Sequence, residues 1–300
     1  MRPGEAARAY VDEPVADLDA AGRAARHAAT RWGLSEPRLL RAGMNAIFEA
    51  GGVVLRVSTP TVDARASLAL LGHLARCDVR VPTAVRDEVV TLDGLSVTGW
   101  QLIEPVATPI DWHGVGSMLR TVHGLDPAEI PGSVPLPRPS SFPWWDFDTL
   151  LERVGGVIDD PARHGLLATI ERHRGWQGFD GAVVCHGDVH PGNVMMTAGG
   201  PVLIDWDLLC WAPPGWDHGP MITWARRWGG DRGDYEAFAA GYGRSLAHDE
   251  ATLAFAELRL VAATLLRLAA AQRDPSAMPE ARRRLAYWRG DPDAPMWAAQ

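Results

Sequence analysis

The sequence predicts an α+β fold: an antiparallel sheet within residues 1–103 and a larger, mostly helical remainder over residues 104–300. Three observations predict it. Short apolar runs separated by Gly-Gly and Asp-Gly turns crowd the first region. Apolar positions recur at helical spacing through most of the second. Between two sets of helical segments, one further hairpin frames a tight cluster of polar side chains, His186 to Asp205.

In order, residues 17–32 put Leu18, Ala21, Ala25 and Ala28 on one helical face, with Gly33 as the stop. Residues 37–41, 43–50 and 53–57 read as extended, the last two joined at Gly51-Gly52, and residues 62–75 as a helix. Residues 88–92 and 95–103 form a second hairpin about Asp93-Gly94, a dipeptide suited to the positive φ of a type I′ turn. Beyond it, helices are expected over 112–123, 145–154, 161–173, 235–242 and 251–271. Five prolines from Pro131 to Pro143 make residues 126–143 a stiff, extended excursion, ended by Phe142, Trp144 and Trp145 as aromatic anchors. Trp224 and Trp228 sit at helical spacing and read as core, and residues 291–300 read as a loose tail.

Composition narrows the function. An apolar fraction of 47% with 22% charged residues is ordinary for a globular protein. A net charge of −8 without any basic cluster argues against nucleic acid as a partner. Cys77, Cys185 and Cys210 are odd in number and lack C-x-x-C spacing, which suggests reduced thiols and neither a disulfide framework nor a zinc site. Residues 1–14 have no signal-type apolar core and no window is long and apolar enough to span a bilayer, so a cytoplasmic protein without a membrane partner is expected. The chain contains no lysine, so any basic role falls to Arg or His.

The chemistry concentrates at residues 183–207. His186, Asp188 and Asn193 follow the order H-x-D-x-x-x-x-N, and Asp205 ends the run that returns from a turn at Ala198, Gly199 and Gly200. Phosphoryl transfer needs an acceptor-only carboxylate beside the attacking hydroxyl, and oxygen ligands that hold magnesium against the nucleotide phosphates. Asp188 suits the first task, and Asn193 and Asp205 the second.

His186-Gly187-Asp188, His190 and Asn193, followed by Ile204-Asp205-Trp206-Asp207, resemble the aminoglycoside phosphotransferase family, which has choline and homoserine kinase relatives. The resemblance implies a bilobal, protein-kinase-like fold, transfer of the terminal phosphate of ATP or GTP to a hydroxyl, and Mg2+. It implies Asp188 and His186 as catalytic residues and Asn193 and Asp205 as metal ligands. Gly43, Asn45 and Ala46 match the loop that covers the nucleotide phosphates. Arg56 stands where kinases place a phosphate-binding Lys, and backbone groups of the Gln101 to Ile103 stretch fall where the base binds. The helical position that should offer a Glu to Arg56 holds Ser67, with Asp63 about one turn earlier.

The acidic balance, with Asp207, Asp217, Asp231, Asp234 and Glu236 following the motif, suggests an acceptor that bears a hydroxyl and a positive charge. Asp207 and Asp217 are the expected acceptor contacts. Two other readings stay open. Gly187-Asp188-Val189-His190 with Asn193 resembles part of a dinuclear phosphoesterase site, and the Arg56 and Ser67 departures suit a catalytically idle nucleotide-binding relative.

Overall fold

The computed structural model describes residues 15–60 and 63–298. The expectation for residues 1–14, the start of the helix expected at 62 and the last two residues of the expected tail lie outside them.

Helix α1 (Leu18–Trp32) starts where the Asp17 carboxylate accepts a hydrogen bond from the Ala20 amide at 2.9 Å, and ends at Gly33 with φ of 67°. Its alanine face, with Ala21, Ala24, Ala25 and Ala28, packs on Phe48, Leu55 and Val97 of a five-stranded antiparallel sheet. That sheet comprises β1 (Arg38–Ala42), β2 (Ala46–Ala50), β3 (Val53–Ser58), β4 (Val90–Leu92) and β5 (Leu95–Gln101), in the order β1-β2-β3-β5-β4. The turns are those the dipeptides demand: Gly51 and Gly52 have φ of 60° and 82°, and Asp93 and Gly94 have φ of 50° and 79°. Strand β4 begins at Val90 rather than 88. Glu88 leaves the ladder to pair with Arg31 at 3.1 Å and to accept from the Trp32 indole.

Helix α2 (Arg65–Arg76) buries Leu70 and Leu74 in a core shared with Trp100, Trp112, Leu119 and Leu203. One apolar core therefore runs from the sheet region into the helical region. The rest comprises α3 (Trp112–His123), α4 (Phe147–Val154), α5 (Asp160–Arg172), α6 (Gly215–Arg227), α7 (Arg232–Tyr242), α8 (Glu250–Arg273) and α9 (Met278–Trp288). Two small ribbons lie among them. Strand β6 (Val183–Cys185) pairs with β9 (Cys210–Ala212), and β7 (Val194–Thr197) with β8 (Gly200–Leu203). Around the 24-residue α8, a second core gathers Trp145, Phe147, Trp216, Phe255 and Leu265. No described helix is long and apolar enough to cross a membrane.

Three expectations are corrected. The proline-rich stretch is packed rather than an excursion: Val134, Leu136 and Phe142 are buried, and the Pro137 carbonyl accepts from the Trp211 amide at 2.8 Å. Helix α9 has no counterpart in the expected elements, because its charge-rich sequence hides a buried Glu280–Arg284 pair at 2.9 Å beside Leu285 and Trp288. The tail is docked through residue 298. Trp297 is 3% exposed, packs edge-on against Trp228 and under the Arg284 guanidinium, and donates its amide to the Arg227 carbonyl.

Candidate active site

Strand β6 ends at Cys185 and hands the chain to His186 and Gly187 in the interior. Gly187 has φ of 94°, and a Cβ there would lie 2.0 Å from the Leu208 carbonyl oxygen, so no other residue fits. The two peptide units are held from α6. Asp217, 0% exposed, accepts from the amides of His186 and Gly187, each at 2.8 Å, and from His123 Nε2 at 3.1 Å. Tyr242 supports His123 through its Nδ1 at 2.9 Å. Burial alone would raise the Asp217 pKa, but the His123 hydrogen bond and the surrounding charges and amide pull it below the usual carboxylate range. Asp217 thus anchors the loop. The expected contact with an acceptor is corrected, because no ligand can reach a carboxylate enclosed by its own backbone.

His186 is likewise fully buried. Its Nδ1 accepts from the Asp188 amide at 3.1 Å, which puts the proton on Nε2, and Nε2–H donates to the Ile204 carbonyl at 3.0 Å. Desolvation pulls its pKa down, so the ring stays neutral. His186 ties the Asp188 turn to the strand that carries Asp205. Among the described residues it makes no hydrogen bond to the Asp188 carboxylate, and its bonds to the Asp188 amide and the Ile204 carbonyl position the loop.

The Asp188 side chain is 22% exposed and held at both oxygens. Arg259 of α8 pairs with Oδ1, while Asn193 Nδ2 lies 3.2 Å and His190 Nε2 3.4 Å from Oδ2. Burial works against ionisation, yet the Arg259 charge and the His190 contact outweigh it and hold the carboxyl well below its ordinary range. His190 is fixed in turn: its Nδ1 accepts from the Gly192 amide at 3.0 Å, and its ring stacks on Trp224, which stacks on Trp228.

Asn193 donates to the Asp188 carbonyl at 2.9 Å as well as to its carboxylate, so its Oδ1 is left as an acceptor. The β7–β8 hairpin turns at Ala198-Gly199 and is extended by the Ile204 amide, which donates to the Asn193 carbonyl at 2.9 Å. That bond brings Asp205 beside Asn193. Asp205 adopts a left-handed conformation, φ 65° and ψ 65°, which Asp tolerates better than most residues and which turns the chain off the strand. Desolvation, then repulsion from Asp207 and Asp188, push its pKa up to about 6 against the pull of Arg56 and Arg41. An amide oxygen and a carboxylate side by side are a donor set for a hard divalent cation.

Arg56 reaches this group from β3. Its Nη2 pairs with Asp207, and with the Asn45 amide oxygen facing it, Nε and Nη2 donate at 3.1 and 2.8 Å. Asp207 is thus paired with Arg56 rather than open to an acceptor in this arrangement. Asp63 stands at the start of α2, exposed and 3.7 Å from Arg65. Gly43 and Asn45 lie in the β1–β2 turn, closed by the Gly43 amide donating to the Asn45 carbonyl at 3.1 Å, whereas the Ala46 side chain is buried in the sheet. The Gln101 amide is already taken by the Thr83 carbonyl at 2.8 Å and that of Leu102 by Gly52 at 3.1 Å, and Ile103 follows them just past the end of β5. Asp231 and Asp234 form the capping box of α7, and Glu236 is exposed on that helix. Sequence reasoning missed Arg259 and His123. Arg259 did carry a signal, as one cation inside the apolar run Leu258 to Ala263.

The model of the phosphotransferase enzyme family matches residues 46–256. Solved structures with this fold include an aminoglycoside 2'-phosphotransferase-IIIa in complex with GDP, at 16% identity over 88% of this chain and 96% of that one, with a TM-score of 0.66. A spectinomycin phosphotransferase in complex with ADP and spectinomycin is similar at 14% identity, 85% and 89% coverage and a TM-score of 0.64. A choline/ethanolamine kinase family protein from Mesorhizobium loti is similar at 20% identity, 86% and 88% coverage and a TM-score of 0.62. No curated protein sequence matches this chain.

Proposed function

Because the chain belongs to the phosphotransferase enzyme family, we propose that it moves the terminal phosphate of ATP or GTP to a hydroxyl of a small molecule. The observation that carries this reading is the assembly of Asp188, Asn193 and Asp205 by one loop and one hairpin, with Arg56 delivered from the sheet. Residues 1–103 serve as the nucleotide-binding lobe and residues 104–300 as the catalytic and acceptor lobe.

In this reading the Asp188 carboxylate accepts the hydrogen bond of the attacking hydroxyl and orients it. Asn193, by donating to that carboxylate, fixes its angle and presents Oδ1. Asn193 Oδ1 and the Asp205 carboxylate hold Mg2+, which when bound neutralises charge on the nucleotide phosphates. Arg56 donates to the phosphates from beneath the Gly43–Asn45 turn, and the backbone near Ile103 meets the base. Similar phosphotransferases in complex with ADP and with GDP support a nucleotide donor. Of the two other readings, a dinuclear phosphoesterase needs several clustered Asp and His ligands. Among the described residues, His123, Cys185 and Asp217 form the one such group of three, sealed in the core with the carboxylate spent on backbone amides.

The test is nucleotide consumption measured with and without a library of hydroxyl compounds, using ATP and GTP. Phosphate appearing on an acceptor supports the kinase. Phosphate passing only to water supports the hydrolase, and binding without consumption supports the idle relative.

A further inference from the structure

The two carboxylates expected to contact a cationic acceptor are engaged elsewhere, Asp207 with Arg56 and Asp217 with the loop amides; Asp231 and Asp234 cap the start of α7, and Glu236 is exposed on that helix. What flanks Asp188 instead is a guanidinium and an imidazole. Arg259 uses Nη2 for Asp188 Oδ1, while its Nε and Nη1 make no hydrogen bond among the described residues, and its side chain is 24% exposed. A guanidinium needs partners for five N–H groups in a planar fork, and a carboxylate is the partner that matches that fork. The two arginines of the site also serve different ends. Arg56 stands with Asp205 and Asp207, whereas Arg259 comes from α8 and acts on Asp188.

We propose that the acceptor is a hydroxyl compound carrying a carboxylate, and that Arg259 binds the carboxylate with its uncommitted donors while Asp188 holds the hydroxyl. This rests on the phosphotransferase reading for the role of Asp188. A carboxylate brought near Asp188 is repelled by that anion, and the remaining donors of Arg259 beside it supply the opposite charge such a group needs. A cationic acceptor would find the Asp188 charge already paired with Arg259. His190, braced by the Trp224 and Trp228 stack, leaves the acceptor a fixed wall on the other side of Asp188.

Equilibrium binding by calorimetry, independent of turnover, tests this with matched sets of hydroxyl compounds. Each set is built on a pyranose, a short alkyl chain or an aromatic ring, and its members differ only in bearing a carboxylate, no charge or an amine. The wild-type chain should bind the carboxylate member of at least one set about tenfold to hundredfold tighter than its neutral counterpart, the scale of about 1.4–2.8 kcal/mol for a charge-assisted pair. Arg259→Gln should abolish that preference, and Arg259→Lys should restore part of it. Nucleotide affinity, measured on the same samples, should move less than about threefold, which separates this role from one on the transferred phosphate and reports that the variants fold. The proposal is overturned if the amine member is preferred, if no carboxylate member exceeds its neutral counterpart, or if Arg259→Gln weakens both alike. A carboxylate preference that depends on Arg259 in a chain that phosphorylates nothing would leave the carboxylate site at Arg259 standing and remove the kinase reading, and with it the acceptor role of the bound compound.

Discussion

Asp217→Asn separates an anchor from a substrate contact. Asn keeps one acceptor oxygen, enough for one of the two loop amides, and turns an –NH2 toward the other amide or toward His123 Nε2. The change removes a charged hydrogen bond and leaves a buried donor unpaired, together costing about 3–5 kcal/mol. For a chain of this size that corresponds to a fall in Tm of about 6–12 °C by calorimetry or circular dichroism. The loop that moves carries Asp188, so kcat should fall about a hundredfold, the cost of a displacement near 1 Å, with little change in the acceptor KM. If Tm is unchanged and the acceptor KM rises instead, the carboxylate is accessible and the anchoring argument fails.

Asp188→Asn should lower turnover by about two to four orders of magnitude while leaving nucleotide affinity nearly intact; near-normal turnover would remove the kinase assignment. Asp205→Ala should abolish the metal dependence of nucleotide binding in calorimetry. Because the Asp205 pKa is pushed up to about 6, its anionic form is lost as pH falls through that value. Affinity for the magnesium nucleotide should then drop by about tenfold per pH unit below it, and a flat profile between pH 5 and 8 would contradict this. Arg56→Ala should raise the nucleotide KM far more than the acceptor KM, with Arg56→Lys recovering part of the loss; equal rises in both would indicate a folding defect.

What the sequence makes legible is what depends on near neighbours. Asp93-Gly94 and Gly51-Gly52 force their turns through φ alone, and Asp17 with Gly33 bounds α1 through groups within four residues of each helix end. The relation of His186, Asp188 and Asn193 is equally local, because Asn193 reaches back only five residues to the Asp188 carboxylate. Helix α9 and the tail fail that condition. Nothing near Glu280 and Arg284 in the sequence marks them as interior; the approach of Trp297 and the α8 carbonyl at Ala263 makes a buried pair of them.

The same limit explains the acidic residues. Asp207 and Asp217 follow the motif closely, and nothing in their spacing tells a free carboxylate from a committed one. Their partners lie far off in the chain: Arg56 is 151 residues from Asp207, and His123 is 94 from Asp217. The absence of lysine then takes on a structural meaning. Arg56 on β3 has a planar fork that pairs with the Asp207 carboxylate and, with the Asn45 amide oxygen turned toward it, with that oxygen as well. A compact ammonium meets one such partner at a time in fixed geometry. The arginine therefore ties the β1–β2 turn to the segment after Asp205, a link between sheet and hairpin made by one side chain.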